Sequence, residues 1–347
     1  MSSSATDTDV VSPPEGQEPS TTPPREVRIA IFEMMVRMRL FEEAAHRMFL
    51  RNLVRGTSHL GIGQEAVAAG TAAAMRDDDY TFCTYRGHNH VLARGTPMNA
   101  VMAELTGRGA GLNGGKGGSM HLTSVEHGAM GSYAIVGAHM PVAVGAAWSA
   151  TRRGSGQVTV CFFGDGATNI GAFHESLNLA VVWQVPVVFV CENNQYMEYT
   201  AIHEVTAVAD PAGDRASAYG LDKIVIDGND ADVVYDVVGG AIADARDGGG
   251  PALIEAKTYR HGGHSRADPG DYRPDEEVEE WLARDPIPAY RDRLIAAGVD
   301  AADLEQIEAD AEAEVEEAKE FATNAAKPDT ATVEAHVFSD GGSRWRR

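Results

Sequence analysis

The sequence predicts an α/β fold, with a mainly parallel sheet that carries helices on both faces. In the middle of the chain, short apolar segments alternate with longer segments of helical periodicity, an order typical of strand–helix–strand units. The apolar segments are nearly continuous, as expected for strands buried on both faces. Two of them run directly into Gly164-Asp165-Gly166 and Asn193-Asn194, where the strands must end. The strand ends of this sheet are therefore predicted to carry polar side chains.

The predicted strands are short, apolar and bounded by glycine, proline or charged residues. They are Tyr80–Tyr85, Val158–Phe163, Pro186–Cys191, Leu221–Ile226 and Ala252–Lys257, with a weak further signal at Ala331–Val337. The predicted helices show helical spacing of apolar residues or a run of small residues. They are Arg25–Arg51, Gln64–Met75, Pro141–Arg152, Asn169–Trp183 and Asp230–Arg246.

Composition divides the chain into three parts. Residues 1–24 are rich in Ser, Thr, Pro and acidic residues and contain little to bury, so they are predicted to be a disordered tail. Residues 25–295 form the predicted α/β domain. The chain turns acidic and helical after Asp275, and residues 296–347 are predicted to form an acidic helical extension at the C-terminus.

Charge and cysteine content exclude several classes of function. Acidic residues outnumber basic ones by 51 to 29, and no basic patch is visible, so the chain is not expected to bind nucleic acid. The longest apolar stretch, Ala180–Cys191, is interrupted and too short to cross a membrane. The three cysteines Cys83, Cys161 and Cys191 form no CxxC pair, and the N-terminus has no targeting signal. These features predict a reduced, cytoplasmic protein.

A glycine-rich segment at residues 107–118, GRGAGLNGGKGG, contains two phosphate-binding patterns that fail on context. Residues 109–114 formally fit GxGxxG, but they follow a helical segment rather than a strand, which excludes the dinucleotide interpretation. The run GGKGG lacks the spacing and the Ser or Thr of a phosphate-binding loop. We therefore predict a flexible segment here.

Asp165 and Asn194 lie 29 residues apart, each directly after a predicted strand. In a strand–helix–strand unit both strands end at the same edge of the sheet, so the two side chains are expected to be neighbours. A carboxylate and an amide oxygen suit Mg²⁺, which completes its shell with water and phosphate oxygens. Gly166 opens a helix whose free N–H groups favour an anion. Alone, GDG is a common turn and Asn194 a possible cap, but together they predict a diphosphate held by Mg²⁺.

This GDG–NN arrangement resembles the thiamine-diphosphate motif of thiamine-dependent enzymes. Further segments resemble the α subunit of the two-chain E1 component of 2-oxo acid dehydrogenase complexes. They are SHLGIGQEA (58–66), TYRGHNHVLARG (84–95), GGKGGSMH (114–121), AIVGAHMPVAVGAA (134–147) and YRHGGHSRADPGDYR (259–273). The resemblance covers roughly residues 25–295 and implies the thiamine-diphosphate-binding fold, in its diphosphate-binding form.

The resemblance implies a Mg²⁺ site formed by Asp165, Asn194 and the main-chain carbonyl of Tyr196. It implies that the backbone N–H groups of Gly166 and Ala167 bind the diphosphate of the cofactor, thiamine diphosphate.

Five further side chains carry implied roles. Tyr85, Arg86 and Arg260 match family positions that contact the diphosphate, and guanidinium groups suit phosphate oxygens. His264 matches a family histidine near the diphosphate and the reacting centre, where its imidazole can donate a hydrogen bond or move a proton. His59 matches a histidine on the substrate side. Both histidines are therefore expected to be catalytic.

Some positions depart from the family pattern or leave a question open. The backbone of Val136 is implied to contact the aminopyrimidine ring, whereas Ala134 stands where relatives often have glycine. Met197 and Glu198 likewise replace a frequent glycine. Ser265 follows His264 in a segment that is phosphorylated in some relatives, but a loop without regulation is the favoured interpretation here.

The resemblance implies oxidative decarboxylation of a small 2-oxo acid and transfer of the acyl group to a lipoyl-bearing E2 protein. Pyruvate is the favoured substrate, followed by acetoin and then branched-chain 2-oxo acids. The chain has one strand–helix array and no second cofactor domain, so an E1 β subunit is expected to complete an α₂β₂ assembly. This absence argues against a transketolase-like enzyme, and the intact motif residues argue against a non-catalytic scaffold subunit.

Overall fold

Six parallel strands form the central sheet of the computed structural model, which describes residues 19–54, 56–333 and 335. The sheet has the order β2-β1-β3-β4-β8-β7, and every neighbouring pair is parallel. Its strands are β1 Tyr80–Thr84, β2 Ala129–Tyr133, β3 Thr159–Gly164, β4 Val187–Asn193, β7 Ile224–Asp227 and β8 Ala252–Lys257. Two short strands, β5 Tyr196–Met197 and β6 Thr200–Ala201, form a separate antiparallel hairpin.

Eleven α-helices surround the sheet within the described residues. They are α1 Arg25–Leu50, α2 Glu65–Ala74, α3 His88–Ala93, α4 Met98–Leu105, α5 His139–Arg153, α6 Gly171–Trp183, α7 Ile202–Val205, α8 Ala231–Arg246, α9 Asp275–Leu282, α10 Pro286–Ala296 and α11 Ala301–Asn324. No described helix is long and apolar enough to cross a membrane.

The sheet is covered on both faces because alternate strand residues enter two separate hydrophobic clusters. Val160 of β3 and Val190 of β4 pack with residues of α1, α2, α4 and α8. Cys161 and Phe189, which point to the opposite face, pack with residues of α5 and α6. The predicted mainly parallel α/β architecture is therefore confirmed.

Aspartate caps fix the beginnings of three later helices. The carboxylate of Asp230 accepts hydrogen bonds from two N–H groups in the first turn of α8. Asp285 and Asp300 each accept one such bond, at α10 and α11 respectively. A carboxylate at this position satisfies N–H groups that lack a partner within the helix.

The strand prediction missed one strand and placed another where the described residues form a turn. The edge strand β2, Ala129–Tyr133, was not predicted because its sequence AMGSY has no β-branched residue and contains a glycine. Residues Thr330–Thr332 form a 3₁₀ turn where a weak strand was predicted to begin. Residues 334 and 336–337 of that predicted strand lie outside the described residues, as do residues 1–18 of the predicted tail.

The strand order reverses between β1 and β3, because β1 pairs with β2 on one side and with β3 on the other. In open parallel sheets, ligands bind outside the carboxyl ends of the strands at such a reversal. Tyr85 and Arg86 follow the end of β1, and Asp165 follows the end of β3. The fold thus brings the motif residues to the edge that the topology favours for a ligand.

Candidate active site

A cavity of about 510 Å³ lies at the carboxyl ends of β1, β3 and β4. Most of the side chains predicted to form the site line it. They are His59, Tyr85, Arg86, Ala134, Val136, Asp165, Gly166, Ala167, Asn194, Tyr196 and His264. Arg260 is the one predicted site residue that is not part of this lining. Residues that are scattered over more than 200 positions of sequence therefore share one cavity.

Asp165 and Asn194 lie at the ends of adjacent strands, as the spacing predicted. β3 and β4 pair in parallel, with Gly164 opposite Glu192, so both chains leave the sheet at the same edge. One carboxylate oxygen of Asp165, Oδ1, accepts the N–H of Gly166 at 2.6 Å. The other, Oδ2, is buried and has no hydrogen-bond partner.

Burial dominates the electrostatics of Asp165. It raises the pKa of this carboxyl to about 7, because the low-dielectric surroundings disfavour the charged form. Asn194 orients its Oδ1 toward the backbone N–H of Tyr196 at 3.3 Å, while its amide nitrogen lies 3.4 Å from Gln64 Oε1. A buried carboxylate oxygen without a partner, in a cavity that is also lined by Asn194 from the adjacent strand end, fits a hard divalent cation such as Mg²⁺.

The backbone after Asp165 approaches its surroundings closely. Asp165–Asn169 forms a 3₁₀ turn, and α6 begins only at Gly171, two residues later than the predicted helix. A Cβ atom at Gly166 would lie 2.6 Å from Cγ of Met197, so a larger residue here would displace the Met197 side chain. This leaves the backbone of Gly166 and Ala167 at the cavity wall, where an anion can approach.

Arg86 supplies buried positive charge to the cavity. Its Nη1 donates to the carbonyl of Leu60 at 2.5 Å, and its Nη2 donates to the carbonyl of His264 at 2.9 Å. Burial lowers the pKa of this guanidinium. Because both acceptors are neutral, its charge remains available to a phosphate group.

Arg260 lies behind the cavity wall rather than in it. Its Nη2 donates to the carbonyl of Glu198 at 2.6 Å, and its guanidinium lies 5.7 Å from the ring centroid of Tyr196. Its Nε and Nη1 are buried without a hydrogen-bond partner, and Nη1 is 4.0 Å from a carboxylate oxygen of Asp268. The direct contact with a diphosphate that was expected of Arg260 therefore stays a prediction.

His59, Tyr85 and His264 form one aromatic cluster. The ring centroid of His59 lies 4.4 Å from that of Tyr85 and 4.8 Å from that of His264. Burial, reinforced by the positive charge of Arg86, lowers the pKa of His59 to about 3 and that of His264 to about 4. Both imidazoles are thus neutral near pH 7, able to donate one hydrogen bond and accept another.

Glu192 is a cavity residue that was not predicted from the sequence. It is the sixth residue of β4, its Oε2 lies 3.1 Å from Nε2 of His90, and it lines the cavity between the strand ends. The ring of His90 stacks on Phe162, with 4.0 Å between ring centroids. In the sequence, the signal for a cavity residue here was a charged side chain near the end of an otherwise apolar strand.

The glycine-rich segment is tied down rather than flexible, so that prediction is wrong. Glu104 is fully buried, and its carboxylate accepts four backbone N–H groups at 2.7–3.0 Å. These donors are Asn113, Gly115, Gly117 and Gly118. The segment therefore does bind an anion through its backbone, but that anion is a side chain of the same protein.

Met197 and Glu198, which replace a glycine that is frequent in the family pattern, form part of the cavity wall. Met197 packs against Gly166, and Glu198 sits in the turn between β5 and β6 with a left-handed φ of 56°. A side chain in this conformation costs about 1–2 kcal/mol. The carbonyl of Glu198 accepts the bond from Arg260, which gives the turn a structural role.

Comparison with known proteins gives a consistent result. Residues 33–331 match the family described as the dehydrogenase E1 component. The α subunit of acetoin:2,6-dichlorophenolindophenol oxidoreductase from Bacillus subtilis is 40% identical over 89% of this chain and 92% of its own length. The α subunit of the pyruvate dehydrogenase E1 component from Porphyra purpurea is 39% identical over 90% and 93%, and that from Zymomonas mobilis is 40% identical over 88% and 86%.

An open α/β sheet with a cavity at its strand-order reversal is the architecture of a small-molecule-binding α/β protein, with the ligand site outside the strand ends. The chain belongs to the dehydrogenase E1 component family, as an α-type subunit of a 2-oxo acid dehydrogenase. The family assignment predicted from the sequence is thereby confirmed.

Proposed function

We propose that this chain binds thiamine diphosphate with Mg²⁺ and, with an E1 β subunit, catalyses the oxidative decarboxylation of pyruvate. The acyl group then passes to a lipoyl-bearing E2 protein. The observation that carries this proposal is the buried, unpartnered Oδ2 of Asp165 beside Asn194 in a cavity that also holds Arg86 and His264.

Bound thiamine diphosphate would supply the nucleophilic carbon and the electron sink that decarboxylation requires. Asp165, Asn194 and the carbonyl of Tyr196 would hold Mg²⁺, which would pair the diphosphate with the otherwise isolated carboxylate. Arg86 would place its charge on the remaining phosphate oxygens. Ala167 would provide a close backbone N–H group, whereas that of Gly166 already donates to Oδ1 of Asp165. The backbone of Val136 would meet the pyrimidine ring.

The two neutral histidines suit hydrogen-bond donation at the reacting centre. His264 and His59 are in contact with each other, and each keeps a ring N–H to donate at neutral pH. Either ring can stabilise negative charge that develops on a substrate oxygen without adding a fixed positive charge. We therefore assign hydrogen bonding to the substrate to this pair.

The test of cofactor binding is calorimetric titration of thiamine diphosphate into the reconstituted α–β pair, with and without Mg²⁺. Binding that requires Mg²⁺ supports the proposal, whereas no binding in the presence of Mg²⁺ refutes it. Turnover should also require the β chain. Full turnover by this chain alone would refute the two-chain active site.

The substrate is tested by assaying pyruvate, acetoin and a branched-chain 2-oxo acid with the same pair. Pyruvate is proposed first, because the relatives that match over most of this chain include pyruvate dehydrogenase α subunits. Acetoin is the second candidate, because an acetoin-acting relative is equally similar. A kcat/KM higher for acetoin than for pyruvate would select the second candidate.

A further inference from the structure

His88 lies outside the cavity, yet it joins the segments that carry the cavity's polar groups. Its side chain is fully buried. Ring nitrogen Nδ1 lies 2.7 Å from Oε2 of Glu42, and Nε2 lies 2.8 Å from the hydroxyl of Ser119. Glu42 and Ser119 are themselves buried, so these bonds cannot be replaced by bulk water.

Both partners of His88 hold the short segment 58–61. The second carboxylate oxygen of Glu42 accepts the N–H of Gly61 at 2.7 Å. The hydroxyl of Ser119 lies 2.8 Å from the hydroxyl of Ser58. The two ends of the segment are thus fixed through the two sides of one imidazole ring, with His59 and Leu60 between them.

Segment 58–61 in turn fixes two cationic or titratable groups of the cavity. The carbonyl of Leu60 accepts Nη1 of Arg86, and the other arm of Arg86 donates to the carbonyl of His264. The ring of His59 also contacts that of His264. A shift of the segment would therefore move His59, Arg86 and His264 together.

We propose that His88 is a positioning residue, which sets the placement of His59 and Arg86 through a buried network of Glu42, Ser119 and Ser58. The inference rests on the proposed function for the role of the cavity. The network itself is independent of which ligand the cavity holds.

Two substitutions separate positioning from simple loss of core packing. In His88→Asn, the amide reproduces the donor toward Glu42, so the buried carboxylate stays satisfied while the link to Ser119 is cut. Ser119→Ala cuts the same link from the other side and changes little volume. Ser119→Ala removes the hydroxyl that holds Ser58, and His88→Asn removes the ring nitrogen that holds this hydroxyl in place. Both variants should therefore loosen segment 58–61 and share one phenotype. His174→Asn is the matched control. His174 is exposed and forms a hydrogen bond with the hydroxyl of Tyr219, which is not part of this network.

The first readout is histidine-selective NMR of the full-length chain without cofactor, with the signal of His59 assigned from a His59→Asn variant. In the wild type we expect the ring of His59 to stay neutral down to about pH 5, because burial lowers its pKa to about 3. In His88→Asn and Ser119→Ala we expect the ring to protonate between about pH 5 and 7, because a released segment exposes it to water. His174→Asn should leave this titration unchanged.

The second readout is the affinity of the α–β pair for thiamine diphosphate with Mg²⁺, which should fall about 10–100-fold in both variants. An unchanged His59 titration in both variants would overturn the proposal. If the wild-type pair does not bind the cofactor, the proposed function fails, but the His59 comparison still decides whether His88 positions the segment.

Discussion

At Asp165, burial and charge oppose each other within one side chain. The carboxylate lies in the cavity wall with one oxygen unpaired, and burial raises its pKa to about 7. A divalent cation would remove this conflict, because it supplies the missing charge and the missing ligand together. Such a residue is expected to serve binding at the expense of the stability of the empty protein.

Asp165→Asn should therefore separate binding from stability. We expect Mg²⁺-dependent binding of thiamine diphosphate to fall by more than about 100-fold. Without cofactor, the free energy of unfolding at pH 8 should rise by about 1–3 kcal/mol, since an unpaired buried charge is removed. Calorimetric titration and urea unfolding measure the two effects, with exposed Asp222→Asn as the control. Wild-type Mg²⁺-dependent binding in the variant would contradict the ligand assignment.

Glu198 lines the cavity and has a left-handed backbone conformation. Its φ of 56° is one that glycine adopts without steric cost. Glu198→Gly should give a free energy of unfolding about 1 kcal/mol higher than Glu198→Ala, because both remove the carboxylate and only the first relieves the strain. Thermal unfolding of the two variants measures this difference, and equal stabilities would show that the turn is not strained.

At the scale of elements, Glu104 converts a glycine-rich sequence into a fixed loop. A carboxylate that accepts four N–H groups organises the loop as a ligand would. The loop then leads to Ser119, which belongs to the His88 network, and to Met120, which lines the cavity. Loop order and site geometry are thus connected through α4.

Glu104→Gln should loosen this loop. An amide retains one acceptor oxygen, so about half of the N–H bonds are lost, and we expect a destabilisation of about 2–4 kcal/mol. Limited proteolysis should show faster cleavage within residues 107–118. The exposed Glu126→Gln serves as the control. Unchanged cleavage would mean that the glycine backbone orders the loop without the carboxylate.

Asp79 connects three elements at the amino ends of the strands, on the side of the sheet opposite to the cavity. Its two oxygens accept a fork of bonds from Arg246 of α8 at 2.9 and 2.7 Å, and backbone N–H bonds from Val158 and Arg76 at 2.8 Å. Burial alone would raise the pKa of this carboxyl, but these bonds outweigh it and the pKa is lowered. The contribution to stability is therefore present above the ordinary value of 3.8 and is lost as the pH falls through the lower folded value.

Asp79→Asn should accordingly destabilise the protein at neutral pH without affecting cofactor binding. We expect a loss of about 2–4 kcal/mol at pH 7, because Arg246 is left without its buried counter-charge. The loss should shrink as the pH falls below 3.8, the ordinary carboxyl value. Urea unfolding over a pH series measures this. A loss that is constant down to the lowest pH would contradict the assigned ionisation.

At the scale of the whole molecule, α11 belongs to the main hydrophobic core. Leu304 and Val315 of this helix are buried in the same cluster as residues of α1 and α4. Arg37 of α1 also donates two bonds of 2.6 Å to Glu314. The predicted boundary at residue 295 thus falls within a region of continuous packing, and the division into domains stays a prediction.

Leu304→Ala tests this continuity. If α11 unfolds together with the sheet, the substitution should lower the stability of the single transition by about 2–5 kcal/mol, as expected for a buried cavity. Exposed Glu305→Ala should have little effect. Calorimetry that showed a separate, lower transition for the C-terminal helix, with the main transition unchanged, would establish an independent extension.

The sequence by itself determined the fold class, the family and the placement of Asp165 and Asn194 at adjacent strand ends. The fold class and the common edge follow from local patterns, because apolar periodicity sets each element and a strand–helix–strand connection brings both strand ends to one edge. The family came from the resemblance of several contiguous motifs. Most of the cavity-lining residues could also be named from the sequence, because they belong to family motifs that are contiguous in sequence.

Only the tertiary structure decided how these residues are supported. Arg260 lies behind the wall, Glu104 fills the glycine loop, and His88 connects Glu42 with Ser119 across separations of 46 and 31 residues. The neutral state of His59 and His264 likewise depends on burial and on the charge of Arg86. Such contacts join residues that no local pattern relates, so their partners emerge only when the chain is folded.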